Sequence, residues 1–321
     1  MTRVVEGRPM DLRQINYFLA LYEEGSVTRA AQRMNVVQPA LSMQIAKLER
    51  ELEQKLFERT PKRMVPTSAG RTLHRLVAPI QRDLAAALAH MANLSGAISG
   101  QVAMGVLSSV TRSVIPGVLI DFARDYPDVD ISIADGYSQT FIEWVNTGKL
   151  DLAVINRPAR RLGLESIPLL EEEMVLVAAR GNPPPPVRSL SDVAQLRLVL
   201  PSKRHGLRAE LERHMAGLAA ELAPRLELDS TDSIADLVAR SDWFTVLPSI
   251  AVHRQLLDGS LVAYSIGRAR VARHLVVVHQ ARHPPGPAAL LLIERLREAL
   301  AAAREALAPR IIRTSDRKNK E

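Results

Sequence analysis

The stretch from Ser26 to Glu53 restricts the fold of this chain most, because its apolar residues have the spacing of two short amphipathic helices joined by a turn. Ser26 is a suitable N-cap for the first helix, and Asn35 is a suitable end. The buried stripe of this helix is expected to consist of Val27, Ala30, Ala31 and Met34. The pattern indicates a helix-turn-helix, although an ordinary helical pair inside an enzyme would have the same spacing.

The second helix is predicted to begin at Gln38 and Pro39, because the first helical turn tolerates a residue without an N–H group. Its buried row is expected to be Leu41, Ile45, Leu48 and Leu52. The outward face then carries small or hydrogen-bonding groups near the helix N-terminus, namely Gln38, Ser42, Met43, Ala46 and Lys47. Helix-turn-helix motifs insert this end of the second helix into the major groove of DNA.

The neighbouring segments are predicted to complete a small DNA-binding domain over residues 10–67. The helix that precedes the motif has an apolar face made of Leu12, Ile15, Phe18, Leu19 and Tyr22. After the motif, residues 56–66 form two extended pieces around a Pro-Lys-Arg turn, which is typical of a wing. Between Arg59 and Arg82 there are six basic residues and no acidic one, which favours a phosphate-binding surface over a solvated charged face.

Residues 68–96 are predicted to form a linker helix that Thr67 caps. Its apolar residues alternate steps of four and three, as in a heptad seam: Leu73, Val77, Ile80, Leu84, Ala87, Met91 and Leu94. Such a seam favours pairing with a second copy, and the dimerisation residues we predict are Leu73, Val77, Ile80, Leu84 and Met91. Pro79 lies inside the helix and removes one backbone hydrogen bond, so we expect a bend or a break between Leu76 and Pro79.

Composition and charge exclude several classes of protein. The chain has no cysteine, so a disulfide framework is excluded. It has no apolar run long enough to span a membrane and no signal-like N-terminus, so the cytoplasm is the expected location. Of the net charge of +7, most lies in residues 1–95, which hold 14 basic and 9 acidic residues. This concentration of charge beside a helix-turn-helix favours a nucleic-acid surface, and double-stranded DNA is the partner that we expect.

The run from Asp11 to Gly70 resembles the winged helix-turn-helix of the LysR-type transcriptional regulators. The matching sequences are DLRQINYFLALYEEGS, TRAAQRMNVVQPALSMQIAKLERELEQKLFERT and PTSAG. This resemblance implies a homodimer or homotetramer that binds an interrupted inverted repeat. The DNA-binding residues that we predict are Ser26, Thr28, Gln38, Pro39, Ser42, Met43, Lys47, Arg59, Lys62 and Arg63.

From Gly100 onwards, short apolar runs alternate with helical stretches, which is typical of a mainly parallel α/β sheet. The predicted domain covers residues 100–308, either as one compact body or as two lobes with crossovers near residues 162–170 and 264–270. One helix is expected over residues 207–222 and the last over residues 288–307. The basic tail, residues 309–321, is expected to be disordered.

The second half of the chain resembles the effector-binding domain of the same family through GVLIDFARDYPDVDISI, GKLDLAVIN and PLLEEEMVLVAA. Two further runs, DGYSQTFIEWV and LPSKRHGLR, resemble the nitrogen-assimilation control subgroup. The implied fold is an N-terminal all-α winged helix-turn-helix with a linker helix, followed by an α/β two-lobed domain like a periplasmic binding protein. In that fold, an effector lies between the lobes.

Hydroxyl and amide groups recur just after the predicted strands, where the ligand crevice of an α/β sheet lies. The effector-binding residues that we predict are Ser108, Ser109, Ser138, Gln139, Asn156, Ser202, His205 and Asp232. Lys203, Arg204 and His205 favour a small anionic effector, whereas ordinary helix caps would explain the hydroxyl groups without a ligand. The subgroup resemblance implies a further alternative, because members of that subgroup can act without a co-inducer.

An enzyme is not expected, because the sequence has no G-x-S-x-G, no G-x-x-x-x-G-K and no H-E-x-x-H motif. No cofactor, metal or membrane partner is expected either. The alternatives to a regulator are a solute-binding protein with a fused oligomerisation segment and an architectural DNA-binding protein that is indifferent to sequence. The sequence does not identify the effector or the target genes, and it does not distinguish an activator from a repressor. An activator would have RNA polymerase as a further partner.

Overall fold

The computed structural model describes residues 10–61, 63–93, 98–216, 221–267 and 271–313. The chain divides into two compact units, residues 1–91 and residues 92–321.

The first unit is a winged helix-turn-helix. Its elements are α1 (Leu12–Glu24), α2 (Val27–Arg33), α3 (Gln38–Glu51), β1 (Phe57–Arg59), β2 (Met64–Pro66) and the beginning of α4 (Ser68–Asn93). Asp11 and Gln14 cap α1 reciprocally, and the Thr67 hydroxyl caps α4 by accepting from the Gly70 N–H at 3.0 Å. The centre of the core consists of Phe18, Leu21, Leu41, Leu48 and Leu56, each at most 1 % exposed. The predicted helix-turn-helix and wing are therefore confirmed.

Two details of the predicted first unit are wrong. Leu52 does not extend the buried row of α3, because it is the C-cap residue and is 36 % exposed. Leu12, at the first position of α1, is 50 % exposed rather than buried. The apolar spacing is correct in the middle of each helix, but the end residues lie beyond the reach of the neighbouring helices.

The linker helix differs from the predicted seam. Val77 is 3 % exposed and packs in the core of its own helix-turn-helix unit, so it is not available to a second copy. Leu73 is half-buried and packs against the same core. Among the described side chains of α4, the exposed large apolar ones are Leu76, Ile80, Leu84 and Leu88, of which Ile80 and Leu84 belong to the predicted seam. The helix is continuous through Pro79, so no break interrupts it. The side chain of Met91 and all of Leu94 lie outside the described residues.

The second unit is an α/β domain. Its first part contains β3 (Gly100–Leu107), α5 (Ser108–Thr111), α6 (Ile115–Asp125), β4 (Val129–Gly136), α7 (Ser138–Asn146), β5 (Leu152–Asn156) and β6 (Glu165–Ala179). Its second part contains α8 (Leu190–Val193), β7 (Val199–Leu200), α9 (Gly206–Met215), β8 (Leu226–Glu227), α10 (Thr231–Ala239), β9 (Thr245–Pro248), α11 (His253–Asp258) and β10 (Leu261–Tyr264). The chain ends with β11 (Ala272–His279), α12 (Pro287–Leu307) and β12 (Ile311–Ile312).

The main sheet has the strand order β12-β10-β6-β11-β5-β3-β4, with β9 also paired to β6. Strands β3, β4 and β5 are parallel and carry the first lobe, whereas β9 and β10 pair antiparallel with the end of β6 and carry the second lobe. The antiparallel strands β6 and β11 connect the two lobes. The sheet is therefore mixed, and the expectation of a mainly parallel sheet is wrong, because both connections between the lobes are long strands.

The C-terminal predictions also need correction. Helix α9 ends at Met215 rather than near Leu222, and residues 221–224 are not helical. Ile311 and Ile312 pair in parallel with β10, after a short 3₁₀ helix over Ala308–Arg310, so these residues are ordered rather than part of a disordered tail. Residues 314–321 lie outside the described part of the chain.

Candidate nucleic-acid interface and ligand cleft

The turn between α2 and α3 presents the N-terminal half of α3 to solvent. Asn35 adopts a left-handed conformation with a φ of 51°, which allows the chain to reverse after α2. The Ser26 hydroxyl accepts from the Arg29 N–H at 3.4 Å, so the predicted DNA contact Ser26 serves as the cap of α2. The Thr28 hydroxyl lies 3.5 Å from the Gln38 side-chain oxygen, to which it donates.

The two faces of α3 differ in chemistry. Leu41, Ile45 and Leu48 are buried against the core. The residues that the sequence places on the outward face are all exposed, namely Gln38, Ser42, Met43, Ala46 and Lys47, and Pro39 is exposed as well. Lys47 lies 3.7 Å from the Glu51 carboxylate, one turn further along the helix, so its charge is partly compensated. The exposed face therefore offers one amide, one hydroxyl, one partly compensated ammonium group and the apolar groups of Pro39, Met43 and Ala46.

The wing places basic side chains beside this helix unit. Strands β1 and β2 are antiparallel, and Thr60 closes their loop by accepting from the Arg63 N–H at 3.1 Å and donating to the Arg63 carbonyl at 2.7 Å. Arg59 and Arg63 are exposed. Lys62 lies outside the described residues. In contrast, Arg29 and Arg33 of α2 are paired with Glu24 and Glu23, so their charges are compensated within the protein.

In the second unit, a cavity lies between the two lobes. Its volume is about 20 Å³, which is about the space that one water molecule needs. The first lobe contributes Ser108, Ser109, Ser138 and Asn156, and the second lobe contributes His205, Gly206 and Thr231. Three helices of nine or ten residues begin at this cavity, because Ser138, Gly206 and Thr231 are the first residues of α7, α9 and α10. Helix N-termini carry free N–H groups and partial positive charge, which favour anions.

A buried ionic network forms one wall of the cavity. The guanidinium group of Arg273 pairs with the Glu172 carboxylate, and its Nη1 donates to the Ser109 hydroxyl at 3.1 Å. Glu172 also accepts from the Ile250 N–H at 3.3 Å. Both charged side chains are completely buried. Arg273 is the one buried cation in the wall, and Glu172 already balances its charge.

His205 is held in its neutral form. Its Nδ1 accepts from the Leu207 N–H at 3.1 Å, so the ring proton resides on Nε2, which remains able to donate to a ligand. Burial lowers the pKa of His205; the Asp229 carboxylate opposes this shift, and the Arg273 guanidinium adds to it. Asn156 is 9 % exposed, and its side-chain oxygen has no hydrogen-bond partner in the described part of the protein. The cavity therefore presents both a donor and a free acceptor.

Five of the eight predicted effector-binding residues line this cavity, and Gln139, Ser202 and Asp232 do not. Gln139 is exposed, the Ser202 N–H donates to Asp229 at 3.0 Å, and Asp232 forms an ion pair with Arg112 across the two lobes. Lys203 and Arg204 also point to solvent rather than into the cavity.

Seven of the twelve lining residues were not among the predicted effector-binding residues, and the polar ones of these seven are Tyr137, Thr231 and Arg273. Arg273 had a signal in the sequence, because it is a charged residue inside the apolar strand Ala272–His279. No separate signal in the sequence points to Tyr137 and Thr231. Each is adjacent to a predicted effector-binding residue, Ser138 and Asp232 respectively.

Neither a metal site nor a membrane-spanning helix is present among the described residues. Within those residues, no group of three or more His, Cys, Asp or Glu side chains is arranged to hold a metal ion. None of the helices in the described part of the chain has the length and apolar character that crossing a bilayer requires.

Comparison with protein families identifies both units. Residues 12–71 match the family described as bacterial regulatory helix-turn-helix protein, lysR family, and residues 95–301 match the LysR substrate binding domain. The chain is 31 % identical over 245 residues to the nitrogen assimilation regulatory protein nac of Klebsiella aerogenes, covering 75 % of this chain and 79 % of that protein. It is 25 % identical over 296 residues to the transcriptional dual regulator OxyR of Escherichia coli K12, and the match covers 91 % of this chain and 95 % of OxyR.

Solved structures have the same fold. A full-length OxyR variant from Pseudomonas aeruginosa superposes with a TM-score of 0.73 at 21 % identity, over 93 % of this chain and 97 % of that one. Full-length CbnR, determined in complex with its target DNA, gives a TM-score of 0.57 at 19 % identity, and the match covers 90 % of this chain and 100 % of CbnR. With both family matches spanning most of its length, this chain belongs to the LysR family of bacterial helix-turn-helix transcriptional regulators.

Proposed function

We propose that this regulator acts in the cytoplasm as a homo-oligomer that binds an interrupted inverted repeat, and that it has no enzymatic activity. The observation that carries this proposal is the division of α3 into a buried row and an exposed face at the end that helix-turn-helix proteins insert into the major groove. The exposed wing arginines, Arg59 and Arg63, support it, because phosphate neutralisation supplies much of the affinity for DNA.

The roles proposed for the described residues follow from their positions, and Lys62 keeps the role expected from its place in the basic run of the sequence. Gln38, Pro39, Ser42 and Met43 are assigned to base edges, whereas Arg59, Lys62 and Arg63 are assigned to phosphates. Thr28, a predicted DNA-binding residue, is in a position to orient Gln38, because its hydroxyl faces the Gln38 side-chain oxygen. Lys47 is assigned a weaker phosphate contact, because Glu51 competes for its charge.

The test is a binding titration at several salt concentrations, with duplexes enriched from a random pool by the wild-type protein and with unselected duplexes. Sequence-specific recognition predicts affinity for the enriched duplex that is about a thousandfold or more above that for random DNA. An architectural protein would bind both equally. Arg63→Ala is expected to weaken both and to reduce the salt slope by about one.

The exposed apolar row of α4 is our proposed surface for a second copy. Leu76, Ile80, Leu84 and Leu88 are between 37 % and 63 % exposed, which is unusual for four large apolar side chains on one helix. Pairing of two such helices would place two helix-turn-helix units on one DNA molecule, and two-fold protein symmetry is mirrored in an inverted repeat.

The cleft is proposed to hold a small anion. Three helix N-termini, the Ser109 and Ser138 hydroxyls and the buried Arg273 converge on it. Because the cavity has space for about one water molecule, a carboxylate would have to separate the lobes and break the ion pair between Arg112 and Asp232. The resemblance to the nitrogen-assimilation control subgroup implies an alternative, in which the amount of protein is the signal.

A thermal-shift screen with small inorganic and organic anions distinguishes these outcomes. A ligand at a hundredfold excess over its Kd stabilises the protein by about 2.7 kcal/mol, which raises the melting temperature. The control is Gly206→Ala, because an added Cβ would lie 2.7 Å from Asn156 Nδ2 and would fill the cavity. Equal shifts in both proteins, or none with any anion, would contradict a working cleft.

A further inference from the structure

One carboxylate of α3 is directed at the beginning of the wing. Glu49 lies in the last turn of the helix, and its side chain is 10 % exposed. Its Oε1 accepts from the Leu56 N–H at 2.9 Å and from the Phe57 N–H at 3.3 Å, and its Oε2 accepts from the Lys55 ammonium at 2.8 Å. Among the described residues, the hydrogen bonds that join α3 to Lys55 and to β1 all end on this carboxylate.

The two backbone hydrogen bonds determine how the chain enters β1. In a straight strand, successive N–H groups point to opposite sides, so Leu56 and Phe57 can share one acceptor only because the chain turns between them. A turn of adjacent N–H groups forms a concave site that favours an anion. Glu49 supplies this anion from α3, and the direction in which β1 leaves the helix therefore depends on it.

Glu49 is charged at neutral pH. Burial raises its pKa, but the hydrogen bonds from Lys55, Leu56 and Phe57 together have a larger effect, so the pKa lies below its ordinary value. The Lys55 side chain is 80 % exposed, and solvent weakens an ion pair of this kind. The backbone N–H groups are therefore the partners that connect the carboxylate firmly to the wing.

The other polar links of the wing lead to different elements. The Thr67 N–H, which precedes α4, donates to the Leu56 carbonyl at 2.9 Å. The Met64 N–H of β2 donates to the carbonyl of Gly25, the C-cap residue of α1, also at 2.9 Å. These bonds attach the wing to α4 and α1, whereas Glu49 attaches it to the helix that is assigned to base edges.

We propose that Glu49 is a positioning residue that holds the wing arginines, Arg59 and Arg63, in place relative to the exposed face of α3; this inference rests on the proposed function. Arg59 is the last residue of β1, two residues after Phe57. The Arg63 N–H donates to the Thr60 hydroxyl across the wing loop, so a change in the direction of β1 moves both arginines. Glu49 acts through them and has no DNA contact of its own.

The experiment measures binding of the full chain to enriched and to random duplexes at several salt concentrations, for the wild type and Glu49→Ala. Each phosphate contact contributes about 0.9 to the salt slope, so misplacing both arginines should reduce the slope by about two. Between about 50 and 200 mM salt, the affinity of the wild type should then fall about twelvefold more than that of the variant. The ratio of affinities for the two duplexes should stay near the wild-type value, because the base-contacting face is intact.

Two comparisons separate positioning from other roles of this carboxylate. On charge alone, removal of an acidic group would strengthen binding to DNA, whereas loss of positioning weakens it. Arg63→Ala should lower the slope by about one in the wild type and should have no further effect in the Glu49→Ala background. Glu49→Gln keeps an oxygen that can accept from the two N–H groups, so it is expected to retain the wild-type slope.

The chain offers a matched control and a stabilised background. Glu51 lies on the same helix with its side chain 13 % exposed, but it pairs with Lys47 of α3, so Glu51→Ala should keep the slope or make it steeper. Glu53, just after α3, has a φ of 51°, a conformation that favours glycine. Glu53→Gly should therefore stabilise the unit. If Glu49→Ala does not fold alone, the pair is measured in this background against Glu53→Gly.

Three results would overturn the inference: a wild-type slope for a folded Glu49→Ala protein, tighter binding of that protein to both duplexes, or an equal effect of Arg63→Ala with and without Glu49. A different result would contradict the proposed function instead. If the wild type shows no salt-dependent binding, or if Arg63→Ala in the wild type keeps the full slope, the wing does not bind phosphates and Glu49 has nothing to position.

Discussion

Arg273 and Glu172 lie opposite each other on the neighbouring antiparallel strands β11 and β6, and their side chains form a completely buried ion pair. These two strands connect the lobes, and the pair also joins Ser109 of the first lobe to Ile250. Burying the two charges costs desolvation free energy. Their mutual attraction and these additional hydrogen bonds offset that cost. The wall of the cleft is therefore also a structural centre of the second unit.

Removal of one partner is expected to be costly. Glu172→Ala would leave an uncompensated buried guanidinium group, so the free energy of unfolding should fall by about 3–5 kcal/mol. Urea denaturation of the full chain, followed at a signal of the second unit, measures this change. The double variant Glu172→Leu with Arg273→Met is expected to recover most of the loss. A loss below about 1 kcal/mol for Glu172→Ala, as for an exposed pair, would contradict the burial of this pair.

The second prediction concerns pH. Because burial lowers the pKa of His205, the unfolded state takes up a proton at a higher pH than the folded state. The stability that this residue contributes is therefore present above the ordinary histidine pKa of about 6.5 and is lost as the pH falls below it. His205→Asn keeps a helix-capping acceptor and cannot titrate in this range. Stability measured between neutral pH and mildly acidic pH should fall more steeply for the wild type than for His205→Asn; parallel curves would contradict the assigned shift.

Two glycines inside helices provide a matched pair. A Cβ at Gly70 would overlap the backbone carbonyl of Leu56, which cannot move without displacing β1. Gly70→Ala should therefore destabilise the first unit by about 1–3 kcal/mol, as in an overpacked core. Gly117 of α6 has nothing within 4 Å of such a Cβ, so Gly117→Ala should be neutral or stabilising by up to about 1 kcal/mol. Thermal unfolding of both variants tests the contrast, and equal melting temperatures would contradict it.

The fourth prediction separates the two sides of α4. Leu84 belongs to the exposed row, so Leu84→Asp is expected to dissociate the oligomer while each chain stays folded. Val77 is buried in its own unit, so Val77→Asp is expected to unfold that unit by placing an unpaired charge in its core. Sedimentation velocity and circular dichroism distinguish these results. An intact oligomer for a folded Leu84→Asp protein would exclude this row as the interface.

The sequence was most informative where local periodicity determines the structure. The apolar spacing of α2 and α3 predicts which residues are buried, because each short helix packs on one face only. It failed at Val77, since heptad spacing alone does not distinguish a row that packs on its own domain from one that faces a second copy. It also failed at Leu52 and Ile311, where the neighbouring elements decide burial and strand pairing.

The cleft was only partly predictable for a related reason. Ser108 and Ser138 follow strands and Asn156 is the last residue of one, and strand ends meet at one edge of a parallel sheet, so their convergence follows from the fold. Arg273 approaches from a distant part of the chain through antiparallel pairing. Lys203 and Arg204 are adjacent to His205 in sequence, but both are exposed and neither lines the cavity, which spacing in a loop does not reveal.

The central claim is that the exposed face of α3 distinguishes one DNA sequence from another. The most direct test is the ratio of affinities for an enriched duplex and a random duplex, measured for the wild type, Gln38→Ala and Ser42→Ala at one salt concentration. Each variant is expected to lose about 1–3 kcal/mol on the enriched duplex and far less on the random one, so the ratio should fall about tenfold or more. A ratio that stays at the wild-type value in both variants would contradict the assignment of base contacts to this face.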